Sequence, residues 1–177
     1  MNRRINQKSI DLIKSFEGFY PRAYKCPAGV WTIGFGTTST KAGGHDDGTI
    51  HDGMVVTMDE AEEFLRQDLE HFEGVVDDLV KVDVNDDMFG SLVSFAYNCG
   101  EGNLKASTLL EKVNEGDFAG AAKQFLRWNK ARNSRGVFVP LNGLTRRRAS
   151  ESRLFEGIPD PVIASVHEMG KLGYPVS

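Results

Sequence analysis

Three residues near the start of the chain have the types and spacing to act on one bond: Glu17, Cys26 and Thr32, set in "FEGFYPRAYKCPAGVWTIGFGT" over residues 16–37. A carboxylic acid that protonates a leaving group works best where partial desolvation keeps it neutral near the operating pH. Glu17 closes an apolar segment beside Phe16, Phe19 and Tyr20, which is such a place. Cleaving a glycosidic bond also needs a second group on the opposite side of the sugar, either a base that activates water or a nucleophile. Cys26 can serve as thiolate, and because a free thiol titrates near ~8.5 its surroundings must lower that value. Thr32 offers a hydroxyl that could hold a water against Cys26. Spacing alone also fits a plainer reading, with Cys26 a small half-buried apolar residue, Thr32 an ordinary strand residue and Glu17 an exposed helix end.

The elements around these residues must place them. Ile10, Ile13 and Phe16 recur at helical spacing over residues 6–17, with Asn6 as N-cap and Gly18 as stop, so Glu17 falls where a helix ends. From Ala23 to Thr38 the pattern becomes strand-like: Trp31, Ile33 and Phe35 alternate with Thr32, Gly34 and Gly36, and "PAG" at 27–29 supplies a turn between Cys26 and Thr32. Gly34 and Gly36 let the backbone approach either a substrate or a packed neighbour.

Helices then dominate. Thr57 and Glu60 form a capping-box pattern ahead of Ala61, Phe64, Leu65, Leu69 and Phe72. Further starts fall at Asn85, Ser107 and Asp117, another helix is expected around "LTRRRASESRLFEG", and glycines at 100, 116 and 157 fit the stops. Asp160 followed by Pro161 predicts one more short helix. The expectation is a single α+β, mostly helical domain over 1–177: a small lobe with a β-hairpin at about 1–56, a larger helical lobe at about 57–157, and a tail at 158–177.

Bulk composition bounds the function. The chain has 177 residues, 40% hydrophobic and 26% charged, which suits one globular domain. No window reaches the ~18–20 apolar residues of a membrane span, and the start lacks the apolar core of a signal peptide. Two cysteines, Cys26 and Cys99, do not make a disulfide framework, and a bridge between them is not indicated. The net charge of −4 hides an asymmetry: residues 59–101 carry thirteen Asp and Glu against two Lys and Arg, whereas residues 123–153 carry nine Lys and Arg against one Glu. That basic stretch either faces an anionic partner or is a solvated face, and it lacks the zinc-finger, RNP or basic-zipper patterns of nucleic-acid binders.

"E17-x8-C26-x5-T32" in its aromatic setting resembles the catalytic signature of the bacteriophage lysozymes, the endolysins of glycoside hydrolase family 24, in which the middle position is Asp or, in some members, Cys. "LVSFAYNCGEGNLKASTLL" at 92–110 and "AAKQFLRWNKA…GLTRRRASESRLF" from 121 to 155 resemble two further blocks of that family, so the likeness spans residues 9–157. It implies a lysozyme-like fold with a cleft between two lobes. The implied activity is that of a muramidase, a bacteriolytic and antimicrobial hydrolase cutting the β-1,4 bond between N-acetylmuramic acid and N-acetylglucosamine of peptidoglycan during cytolysis of a host cell.

Carried onto matching positions, the resemblance makes Glu17 the general acid, puts Cys26 in place of the usual Asp, and has Thr32 help place the water. Tyr97, Asn98 and Ser107 match positions near the sugar groove, and Arg147 matches the residue that reaches toward the catalytic glutamate. With Cys at the Asp position, the thiolate acts either as base, with inversion, or as nucleophile, with retention. No cofactor or metal is implied. The expected partner is peptidoglycan, with no nucleic acid and no integral membrane segment. A monomer is expected, held in the host cytoplasm until a pore-forming holin gives access to the periplasm and cell wall. The alternatives are a catalytically weak peptidoglycan-binding protein and a lytic transglycosylase, the latter disfavoured because it needs no water-activating group.

Other clusters are read as structural. His45, Asp46, Asp47, His51 and Asp52 share a loop whose spacing matches neither an H-E-x-x-H helix nor an EF-hand. His71 and His167 are isolated and solvent-facing, and Trp31 and Trp128 are core or cleft-wall residues.

Overall fold

The computed structural model describes residues 3–39 and 50–164. His45, Asp46, Asp47, His167 and most of the tail lie outside the described residues. The first helix, α1 (Gln7–Glu17), starts where Asn6 accepts the backbone N–H of Ser9 and ends at Gly18, whose φ of 74° a side chain would disfavour. Its buried face, Ile10, Leu12 and Ile13, packs on α3 (Asp86–Cys99) and α7 (Asn142–Glu156).

Strands β1 (Tyr20–Lys25), β2 (Trp31–Gly34) and β3 (Thr37–Thr38) form an antiparallel sheet in sequential order. The register pairs Tyr24 with Thr32 and Lys25 with Trp31, and an irregularity lies between Tyr20 and Tyr24. Helix α2 (Met58–Leu79) carries the predicted capping box, with Thr57 and Glu60 each satisfying the other's backbone N–H. Its Ala61, Leu65 and Leu69 face inward, and it packs on β2, β3 and α3. A Cβ at position 34 would stand 2.9 Å from that of Ala61, at a φ of 65°, so Gly34 serves the contact between sheet and helix.

Helix α3 runs through the centre of the core, burying Phe89, Leu92, Val93, Phe95 and Ala96. It crosses α1 closely at Gly90, where a Cβ would meet Ser9 Oγ at 1.7 Å. After it come α4 (Glu101–Lys105), α5 (Thr108–Asn114) and α6 (Phe118–Phe125), capped at Ser107 and Asp117 as predicted. Four elements go beyond the sequence expectation: β3, which makes the expected hairpin a three-stranded sheet, α4, a helix of five residues, and β4 (Lys130–Arg132) and β5 (Phe138–Pro140), which form a second hairpin. Asp160 caps a helical turn at 161–164 by accepting the N–H of Val162. Among the described residues no helix is long and apolar enough to cross a membrane. The fold is α+β and mostly helical, as the sequence predicts.

Candidate active site

The C-terminal end of α1, the turn joining β1 to β2, and the inner face of α7 supply the reactive groups. Glu17, whose side chain is 22% exposed, is the last residue of α1. Arg147 Nη1 donates to its Oε1 at 2.7 Å, and that arginine is itself 3% exposed. A charge-assisted bond of this length fixes the carboxyl in one direction. Behind it, the Arg147 guanidinium lies 6.0 Å from the Phe16 ring centre, so its apolar side is covered as well.

Cys26 begins the turn between β1 and β2. Its N–H donates to the carbonyl of Val30, and its carbonyl accepts the N–H of Gly29, which closes the loop around the sulfur. The neighbouring backbone N–H groups of Val30 and Ala28 hold the thiol below its ordinary value against the opposing effect of desolvation, and the Thr32 hydroxyl adds a lesser contribution in the same direction. Thr32 is buried, and its hydroxyl also reaches the Val30 carbonyl at 3.2 Å.

Tyr24 links the two halves. It stands opposite Thr32 in the sheet, and burial followed by the negative charges of Tyr20, Cys26 and Glu17 raises its phenol. Tyr97 approaches from α3: burial pushes its phenol well above the usual range, the charges of Glu17 and Asp68 add to this, and Arg147 opposes it. Its ring packs edge-on against Phe72, with centroids 5.5 Å apart. An open cavity of about 780 Å³ runs beside Glu17, lined by Phe16, Asn98, Leu141, Leu144, Arg147 and Val162 among others.

Thus Glu17, Arg147 and Asn98 line one opening and Tyr97 lies near enough to feel the charges of Glu17 and Arg147, while Cys26 and Thr32 stand together on the first hairpin and do not line that opening. Ser107 sits differently: it is buried, donates to the Leu104 carbonyl and accepts the N–H of Leu110, so its hydroxyl is used in capping α5.

Solved structures of similar proteins share the fold. Residues 14–151 match the family model described as phage lysozyme. The endolysin of Acyrthosiphon pisum secondary endosymbiont phage 1 is 37% identical over 152 residues, covering 86% of this chain and 97% of that one. The endolysin of Bacillus phage B103 is 44% identical over 153 residues; these cover 85% of this chain and 53% of the relative, so the chain spans about half the length of that protein. Among solved structures, the endolysin of Escherichia coli O157:H7 phage FAHEc1 is 34% identical with a TM-score of 0.78, covering 90% of this chain and 99% of that one. The muramidase domain of SpmX from Asticaccaulis excentricus is 36% identical with a TM-score of 0.76, covering 86% and 98%.

The chain belongs to the phage lysozyme family.

It is therefore a glycoside hydrolase of the peptidoglycan-lysing class. Sequence reasoning missed Tyr24, whose signal was its place opposite Thr32 across the turn, and the buried neighbours of Arg147. Ser94 and Glu151 contact that arginine, and Arg148 shares Glu151 with it. The spacing of Arg147 and Arg148 ahead of Glu151, four and three residues on one helix, was legible as a pairing pattern. Cys26 and Cys99 are both free thiols. His71 faces solvent but is not isolated, because its Nε2 lies 2.6 Å from a Glu101 carboxylate oxygen. Trp31 and Trp128 pack against the core, Trp128 edge-on to Phe95. Among the described residues no group of three or more His, Cys, Asp or Glu is arranged to hold a metal ion; His51 pairs through Nδ1 with the Asp52 carbonyl.

Proposed function

We propose that this protein is an endolysin that hydrolyses the β-1,4 bond between N-acetylmuramic acid and N-acetylglucosamine in bacterial peptidoglycan. The observation that supports the reading is the carboxyl of Glu17 oriented by buried Arg147, in a chain of the phage lysozyme family whose first hairpin carries a Cys26 thiol lowered by backbone amides. An acid and an anionic group flanking one sugar are what glycoside hydrolysis requires.

In this reading Glu17 donates its proton to the glycosidic oxygen as that bond lengthens, and Arg147 holds the carboxyl in line and receives the resulting carboxylate as a partner. The Cys26 thiolate faces the positive charge that develops on the sugar. It either takes a proton from an attacking water held by Thr32 or attacks the anomeric carbon itself. Asn98 lines the opening beside Glu17 and offers an amide to substrate hydroxyl or acetamido groups, and Tyr97 precedes it on α3. The two lobes, one holding the sheet and one built on α3 and α7, flank the bound glycan. The protein works as a monomer and reaches the wall from the host cytoplasm once a holin has opened the inner membrane.

The test is mass spectrometry of fragments released from purified peptidoglycan. Hydrated muramic-acid reducing ends from the wild type, lost in Glu17→Gln, support the reading. Anhydro ends indicate a transglycosylase, and binding to sacculi with no release of fragments indicates a binding protein.

A further inference from the structure

Glu17 does not face a simple arginine. Arg147 is shared: its Nη1 goes to Glu17, while its Nε donates to Glu151 Oε1 at 3.2 Å. Glu151 is 0% exposed, and the same oxygen accepts from Ser94 Oγ at 2.7 Å and from Arg148 Nη2 at 2.8 Å. Its other oxygen lies 2.7 Å from Arg148 Nε without hydrogen-bond alignment, so charge alone holds that contact. Arg148 is also 0% exposed, stacks over Phe95 and donates to Cys99 Sγ. Two cations and two carboxylates therefore form one line: Glu17, Arg147, Glu151 and Arg148.

A buried carboxylate between two buried arginines is costly to desolvate and adds little to net stability. Its position shows what it does for the reaction. Arg147 thus divides its donors between the two carboxyls, Nη1 to Glu17 and Nε to Glu151. Without Glu151, the positive charge of both arginines would be left to Glu17 alone.

We infer that Glu151 is a positioning residue: held by Ser94 and Arg148, it aims Arg147 at Glu17 and offsets part of the positive charge that faces that carboxyl. This rests on the reading of Glu17 as general acid. The other charged or titratable groups near Glu17 are Tyr97 from α3, with Asp68 beside it, and Tyr24 from the hairpin, which also feels Cys26. Those facing Glu151 are Arg147 and Arg148 on α7, and Ser94 and Cys99 on α3. The hairpin groups do not touch Glu151, so removing its charge acts on Glu17 first.

Opposite charge changes must then move the alkaline limb of the kcat–pH profile in opposite directions. Glu151→Gln removes an anion from the line and shifts that limb to lower pH by about one unit, a tenfold change in proton concentration. Arg148→Met removes a cation, leaves Glu151 paired with Arg147 and Ser94, and shifts it upward. Arg148→Lys conserves the charge and leaves the limb where the wild type has it. The acid limb, set on the hairpin, stays in place throughout.

A structural defect lowers kcat without this reversal of sign. Thermal melts establish which variants fold, and if Glu151→Gln does not, the upward shift in Arg148→Met decides the matter. Folded variants whose alkaline limbs stay with the wild type overturn the inference. Glu17→Gln separates the two levels: if it is inactive while the limbs do not move, only the role of Glu151 falls; if it still hydrolyses, the reading of Glu17 falls first.

Discussion

The two thiols sit in opposite environments, and their chemistry should separate accordingly. Backbone amides and Thr32 lower Cys26, whereas burial raises Cys99 despite the nearby Arg148. Alkylation proceeds through the thiolate, so a lowered value places its onset at lower pH and a raised value at higher pH. A pH series with iodoacetamide and peptide mapping should show Cys26 modified below the ordinary thiol range and Cys99 only above it, with hydrolysis lost in step with Cys26. Equal onset for the two would contradict the turn geometry. On activity, Cys26→Ser should lose more than Cys26→Asp, because a carboxylate restores the anion and a hydroxyl does not. Arg147→Ala should cost about 3–5 kcal/mol in chemical denaturation, since it leaves the fully buried Glu151 short of a cation. Glu17 and Cys26 could be singled out from residue type and spacing, but Glu151 could not. Its importance comes from having no exposure and two guanidinium partners, which spacing suggests and only packing establishes.

At the scale of elements, caps and close contacts explain which parts were legible. Asn6, Thr57, Asn85, Ser107 and Asp117 each accept a backbone N–H at the helix start where the sequence places them, because capping chemistry is local. Thr57→Ala should lower stability by about 1 kcal/mol, read from urea denaturation, through loss of the capping box. Gly34→Ala should cost more, about 1–3 kcal/mol, because it combines a φ of 65° with a Cβ pressed to 2.9 Å from Ala61. A loss below half a kcal/mol would mean that sheet and α2 part more easily than the packing indicates. Less legible was the hairpin of β4 and β5. Only Ala131 and Val139 are turned inward, and its strands are three residues long, too short for an alternating apolar pattern. Its tip is set by Asn133, whose side chain accepts the N–H groups of Arg135 and Val137. Helix α4 was hidden for a similar reason, being one turn and a half between Gly100 and Ala106.

Across the whole molecule, the charge asymmetry visible in the sequence resolves into different parts of the fold. Acidic residues line α2 and the start of α3, while Arg147 and Arg148 are buried against Glu151 and Lys130, Arg132 and Arg135 stand exposed on the second hairpin. Composition could not tell those two uses of positive charge apart, because burial decides which arginines act inside and which face solvent. The exposed set should attract the carboxylates of peptidoglycan peptides, so kcat/KM should fall as salt rises and fall less steeply in Lys130→Ser/Arg132→Ser. The fold class was legible because caps, turns and periodicity agree along most of the chain. The way α1, the hairpin and α7 converge was not, since Glu17 and Arg147 are 130 positions apart. The central claim is that Glu17, held by Arg147, delivers the proton that breaks the glycan. Mass spectrometry of fragments from purified peptidoglycan, comparing wild type with a folded Glu17→Gln variant, tests it most directly. The account predicts hydrated muramic-acid reducing ends from the wild type and none from the variant; the same ends from both would contradict it.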